Sequence, residues 1–313
     1  MIKYCLLCFA LTCSLLSKAA NSGDSLLYNH QVSVLVDNDV FTSIYRDQYY
    51  SSGLFGTYRW IKSLESEKKK YRSITLVQRM FTPMLLSWSE QEEFDRPYAG
   101  HISLIGSDEH FHEKYVLINR VEFGWMGPGS LTGTIQENWH ESLGLQPPKG
   151  WDFEIRNSPI INYYGSFVKP LFHLGGLDLL SESSLAFGTA FNNVKQSLMI
   201  RAGKLKPVNS SVQYSGQLGN KKPPLKSEIA EEIIFFYAPS VEYNIYNTTI
   251  EGNLLGPTAP HTEQAEDWII QHRFGVAFSW SGFDFMINYY RRTKETTESV
   301  PHRYAGIQLN QRF

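Results

Sequence analysis

The chain has 313 residues, with 29 Lys and Arg against 31 Asp and Glu, and three cysteines. That balance excludes the basic footprint of a nucleic-acid-binding protein. Beyond residue 20 no apolar run reaches the length of a transmembrane helix, which excludes a helical membrane protein.

The opening twenty residues, "MIKYCLLCFALTCSLLSKAA", carry an early cation at Lys3, an apolar run and then small residues. This is the pattern of a secretory signal peptide, residues 1–20, with Ser17 and Ala19 suited to the cleavage site. A lipid anchor at Cys13 is the alternative, but Thr12 is larger than the residue that usually precedes a lipidated cysteine. Cys5, Cys8 and Cys13 all lie in this segment, so the mature chain, 21–313, has no thiol nucleophile, disulfide or cysteine metal ligand. Without Lys3 and Lys18 there remain 27 basic residues against 31 acidic ones, a net charge near −4.

From Gln31 onward the pattern alternates with a period of two. In "KYVLINRVEFGW", Tyr115, Leu117, Val121, Phe123 and Trp125 oppose Arg120, Glu122 and Gly124. In "DWIIQHRFGVAFSW", Trp268, Ile270, Phe274, Val276, Phe278 and Trp280 share one face, with His272 as the misfit. The two tryptophans stand about 30 Å apart along the membrane normal for a tilted strand, which matches a bilayer with an aromatic girdle at each edge. The chain ends on "YAGIQLNQRF", an alternating strand that finishes on an aromatic.

Any one of these strands would also suit a soluble β-sandwich. Together, behind a secretory signal, they predict an all-β fold: a transmembrane antiparallel β-barrel of about twelve strands, of the bacterial outer-membrane type. Strand starts are expected near Gln31, Tyr50, Arg72, Tyr98, Lys114, Asn157, Asp178, Gln196, Glu232, Trp268, Phe283 and Arg303. The stretch 205–230 is predicted to be a long polar periplasmic turn, with disorder as its default state.

Polar residues unusual for strands gather at the predicted outer ends: "VDNDVF", "YYSSG", "DRPYAG" and "GPGSLTGTIQENWH". Each is open to a plain reading as turn chemistry or a surface ion pair. Their placement on one side of the membrane favours a site. Asp39 offers a hard oxygen ligand suited to calcium, and His140 suits general-base work near neutral pH. Asn38 and Asp39 point to opposite faces of a regular strand, so a joint role requires the strand to end or bulge there. "TIQENWHESLG" suits a short helix, with Glu137 placed to orient His140.

In the order and spacing of "SVLVDNDVF", "DQYYSSGLFGTY", "FDRPYAGHISL", "GWMGPGSLTGTIQENWHESLG" and "PKGWD", the mature chain resembles the outer-membrane lipid A 3′-O-deacylase family. The resemblance implies a calcium-dependent (Ca2+) ester hydrolase that removes the 3′-linked acyloxyacyl group of lipid A in the outer leaflet. By position, it implies that Asp39 holds the metal, that Asn38 positions the substrate carbonyl or oxyanion, that Ser51 supplies a hydroxyl and that His140 is the base. Gln146 falls where the resemblance implies a glutamate. The loop "MLLSWSEQEEF" lacks the basic pair implied there and carries Glu90, Glu92 and Glu93, which leaves Arg96 as the nearest cation for a phosphate. Expected partners are lipid A or lipopolysaccharide and the outer-membrane barrel assembly machinery. Two other readings remain: a non-catalytic barrel serving as scaffold or narrow pore, and an outer-membrane phospholipase, for which no serine nucleophile and base are evident.

Overall fold

The structure is a computed structural model that describes residues 27–42, 48–65, 67–222 and 230–313. The predicted signal segment, with Cys13, lies outside these residues.

Twelve antiparallel strands close on themselves in sequence order. They are β1 (His30–Asn38), β2 (Tyr49–Leu64), β3 (Lys68–Thr82), β4 (Ala99–His112), β5 (Tyr115–Met126) and β6 (Ser158–Leu174). The second half comprises β7 (Leu177–Gly188), β8 (Phe191–Lys204), β9 (Glu232–Asn247), β10 (Trp268–Trp280), β11 (Phe283–Arg292) and β12 (His302–Arg312). β12 pairs with β1 from Arg312 opposite Gln31 to Ala305 opposite Asn38, so no sheet edge remains. No helix among the described residues is long and apolar enough to cross a membrane.

The period-two pattern holds in three dimensions. On β10, Trp268, Ile270, Phe274, Val276 and Trp280 are exposed on the outer wall, whereas Ile269, Ala277 and Ser279 are buried inside. His272 faces outward and is satisfied there: the Tyr237 hydroxyl lies 2.8 Å from its Nδ1 and the two rings are parallel. On β5 Glu122 is fully buried between exposed Val121 and Phe123.

Two predicted starts lie inside their strands. β3 begins at Lys68 because Lys68–Lys70 still pair with His112–His110 of β4. β8 begins at Phe191, which pairs with Asn247 of β9. Both extensions are too polar for their alternation to show.

The segment after β8 corrects a further expectation. Residues 205–222 turn into the barrel and plug its periplasmic end. Val208, Val212 and Leu218 are buried against Tyr71, Phe111, Val116, Val168, Met199 and Phe236 from the surrounding wall. The Tyr71 hydroxyl donates to the carbonyls of Gly216 and Leu218 at 3.1 and 2.6 Å. Lys69 donates to Ser210 and Asn220 at 3.1 and 2.7 Å. Glu232 accepts from the Ser211 hydroxyl and the Val212 amide. Composition alone reads this segment as solvated, but three apolar side chains and a ring of inward hydrogen-bonding partners hold it inside. Above the plug a polar cavity of about 360 Å³ remains, lined by Arg59, Arg79, Glu109, Arg120, Tyr164 and Gln213 among others.

Candidate functional site

At the outer end of β1 the inward residue is Asp37, whose carboxylate accepts from the Tyr50 hydroxyl at 3.1 Å. Asn38, the next residue, therefore faces outward, opposite Ala305 on β12 and Ser52 on β2. The strand stops there. Asn38 Oδ1 caps a single 3-10 turn, Asp39–Phe41, by accepting from the Val40 amide at 2.8 Å. The turn buries Asp39, whose Oδ2 accepts from the Gln48 amide at 2.5 Å. The conflict between alternating faces is thus resolved by ending the strand between the two residues.

Ser51 occupies a bulge: Tyr50 pairs with Phe81 and Ser52 with Met80, which leaves Ser51 without a ladder partner. Its buried hydroxyl bonds Thr82, which shares the outward parity of Gln78 and Met80 on β3. Asn38, Ser51, Ser52 and Thr82 thus line one outward patch on neighbouring strands.

The glycine-rich stretch after β5 builds a helix, α1 (Thr132–Leu143), against the same wall. Gly100, outward on β4, allows the approach, because a Cβ there would lie 2.3 Å from Ser130 Oγ and 2.6 Å from Thr132 Cβ. Gln78, outward on β3, donates to Thr132 Oγ1 at 3.2 Å. The far side of the helix is pinned by Trp151, whose indole N–H donates to Gln136 at 2.8 Å. Trp151 packs with Met80, Phe94 and Tyr98. Gly144 ends the helix in the left-handed region (φ 64°), and the Leu145 amide closes onto the His140 carbonyl.

That turn brings the Gln146 carbonyl to 2.6 Å from His140 Nδ1. A carbonyl only accepts, so Nδ1 carries the proton and Nε2 is left as the basic nitrogen. His140 is buried to 8% exposure, while the side chains of Glu137 and Gln146 are exposed. A main-chain carbonyl six residues on therefore orients the imidazole. A main-chain contact is independent of side-chain charge, so glutamine at position 146 leaves it intact.

Arg96 lies elsewhere. Its guanidinium stands 4.9 Å over the inward-facing Phe81 ring and donates to Glu295 and Thr249, both at 2.9 Å. Asp95 accepts from the Tyr49 hydroxyl and from the Met84 amide. "DRPYAG" thus ties three outer connections together across the barrel mouth, and the Arg96 charge is answered by Glu295. Burial pushes the Glu295 carboxyl up, but the guanidinium of Arg292, then His302 and Arg96, outweigh it and hold it at about 2. The helix that carries His140 packs on β3 and β4, Asn38 and Asp39 lie at the outer end of β1 and Ser51 at that of the adjoining β2, and Arg96 is buried inside the mouth.

Two residues escaped the sequence reading. Thr82 had no signal of its own beyond its place before Pro83. Gln48 places a buried side-chain oxygen, Oε1, without a hydrogen-bond partner, and its amide is held by Asp39. No three His, Cys, Asp or Glu side chains among the described residues form a metal cage. A buried carboxylate and a buried amide oxygen without a partner, on two residues joined by a main-chain hydrogen bond, are instead the donor types of an oxygen-bound hard cation.

A closed twelve-stranded barrel whose polar site sits on the outer wall of one rim is an integral outer-membrane protein. The chain belongs to the family of the outer membrane protein LpxR, whose model matches residues 5–313. Among solved structures it is similar to LpxR from Salmonella typhimurium, at 16% identity and a TM-score of 0.70 over 90% of this chain and 100% of that one. At that identity the likeness is one of fold. The translocator domain of the autotransporter NalP from Neisseria meningitidis follows, at 9% identity and a TM-score of 0.46 over 99% and 98% of the two chains. Comparison of the sequence with curated proteins finds no match.

Proposed function

We propose that the protein is a lipid A 3′-O-deacylase, hydrolysing the ester of the 3′-linked acyloxyacyl chain at the outer-leaflet rim. The observation that carries this reading is His140, fixed in one tautomer by the Gln146 carbonyl on a helix held against the lipid-facing wall. An ester-bearing lipid in the outer leaflet reaches that wall by lateral diffusion, without entering the barrel.

His140 Nε2 takes a proton from water as its oxygen attacks the ester carbonyl. The oxyanion that forms is met by polar groups of the outward patch, with the Asn38 amide and the Ser51 hydroxyl as donors. When the tetrahedral intermediate collapses, the proton on His140 passes to the departing 3′-oxygen. The products are lipid A with a free 3′-hydroxyl and an acyloxyacyl carboxylic acid. Asp39 and Gln48 Oε1 would hold calcium, which when bound supplies Lewis-acid polarisation of the carbonyl.

Mass spectrometry of lipid A from cells expressing the protein tests this. The expected product lacks the mass of one acyloxyacyl chain, and His140→Ala restores the parent mass. Unchanged lipid A in cells with assembled, calcium-supplied protein defeats the reading.

A further inference from the structure

Arg291 and Arg303 face each other directly across β11 and β12. Their neighbours Arg292, His302 and Tyr304 point into the barrel, where Arg292 meets Glu295 at 3.0 Å and His302 and Tyr304 are buried. By alternation both arginines point outward, and both are exposed. Arg291 is the penultimate residue of β11 and Arg303 the second of β12, so the pair sits at the outer ends of these strands.

Among the described residues no carboxylate pairs with either arginine. Like charges directly opposite on a sheet repel, and more strongly at the edge of a low-dielectric bilayer. An anion that both guanidinium groups share relieves the arrangement. Phosphate is the match, since the planar fork of arginine binds its oxygens two at a time.

The pair also adjoins the site. Ala305, the register partner of Asn38, lies two residues from Arg303 on the same outward face. Strand spacing and rise put the Asn38 and Arg303 Cα atoms roughly 8 Å apart, within the span of one acylated, phosphorylated sugar. Thr42, which closes the turn begun by Asp39, donates its hydroxyl to the Arg303 carbonyl at 3.2 Å. On the other flank the β3–β4 loop exposes Glu90, Glu92 and Glu93. Charge across the site therefore runs from positive at β11–β12 to negative at the β3–β4 loop.

We infer that Arg291 and Arg303 form the phosphate subsite for the substrate headgroup. The inference rests on the deacylase reading and adds the part of the wall that recognises the anionic group. It orients the lipid so that its phosphate lies over β11–β12 and its ester faces Asn38 and Ser51.

The test compares phosphorylated lipid A with enzymatically dephosphorylated lipid A. Binding is read by native mass spectrometry of detergent-solubilised His140→Ala protein, with and without Arg291→Gln and Arg303→Gln. Barrel assembly of each variant is checked by heat-modifiable gel mobility. Retention of the phosphorylated lipid is expected to fall about tenfold for each arginine removed, with dephosphorylated lipid unaffected and the double Arg→Lys variant recovering part of the loss. In the His140 protein the same two substitutions raise KM for phosphorylated substrate and leave kcat in place. Equal retention of phosphorylated lipid with and without the arginines overturns the subsite, as does equal loss of both lipids. If the His140 protein hydrolyses nothing while phosphate-dependent retention persists, the deacylase reading falls and the phosphate subsite stands.

Discussion

The two ends of the barrel treat charge in opposite ways. At the periplasmic end the buried ions are answered from within. Arg201 forks onto Asp178 at 2.9 and 2.5 Å and reaches Ser211 of the plug, and Arg312 meets Asp284 at 3.0 Å. At the outer end the mouth is closed in the same manner by Arg96 and Glu295. The outward wall just beside it is different: a helix-borne histidine, a bulged serine, a capped turn and two facing arginines lie on the lipid side. Inside the barrel opposite charges answer each other and build closure, whereas on the outward wall Arg291 and Arg303 meet as like charges.

Loss of the base has the largest expected effect. His140→Ala should lower deacylation by about 10²–10⁴-fold while the barrel assembles normally, as read by product mass against time. A variant that keeps most of its rate would move the chemistry elsewhere on the rim.

The plug provides the opposing test. Arg201→Ala leaves the Asp178 carboxylate buried without its partner, at a cost of about 3–5 kcal/mol. The expected readout is a lower denaturant midpoint in detergent micelles, with per-molecule deacylation retained below the transition. Removal of residues 206–222 should convert an electrically silent barrel into a conducting one in planar bilayers, because the polar cavity above the plug then opens through. A wild-type protein that already conducts would argue for the pore reading.

A third, smaller effect is pH-dependent. Glu154 lies between α1 and β6, and burial pushes its carboxyl up to about 8, with Oε2 lacking a hydrogen-bond partner. A carboxyl whose folded value is raised stabilises the fold fully below its unfolded value, near 4.5. That contribution is lost as pH rises from there through about 8. Hydrogen exchange of residues 150–156, corrected for its intrinsic pH dependence, should therefore quicken across this window in the parent and stay level in Glu154→Gln. Identical profiles would show that Glu154 is charged in the folded state.

Much of this architecture is legible in the sequence because a barrel wall imposes one rule, outward apolar and inward polar, on every strand. Val121 to Trp125 obeys it residue by residue, and Trp268 to Trp280 departs from it only at the outward His272 and the inward Ile269 and Ala277. Illegible parts are those where local pattern and tertiary environment disagree. The 205–222 plug is polar in composition and is buried only because Tyr71, Lys69 and Glu232 wait for it inside. The bulge at Ser51 inverts parity for one residue, and nothing in "YYSSG" marks it. Arg96 looked like the free cation of the rim, yet its partner Glu295 is 199 residues distant in sequence.

Position 146 makes the finest separation between side-chain and main-chain roles. If a carboxylate were required beside His140, Gln146→Glu should raise activity and Gln146→Ala should damage it nearly as much as loss of the histidine. The structure gives another expectation, since His140 Nδ1 donates to the Gln146 carbonyl and the side chain points to solvent. Both substitutions should then change kcat less than about threefold, because surface replacements away from buried features alter free energies by about 0.5 kcal/mol. Gln146→Pro forces a different backbone on Leu145, the residue before it, and displaces the turn that carries the carbonyl. It should cost far more than either, and steady-state kinetics of the three variants side by side decide the matter. A flat response to alanine and glutamate with a collapse at proline identifies the backbone as the group that holds the imidazole.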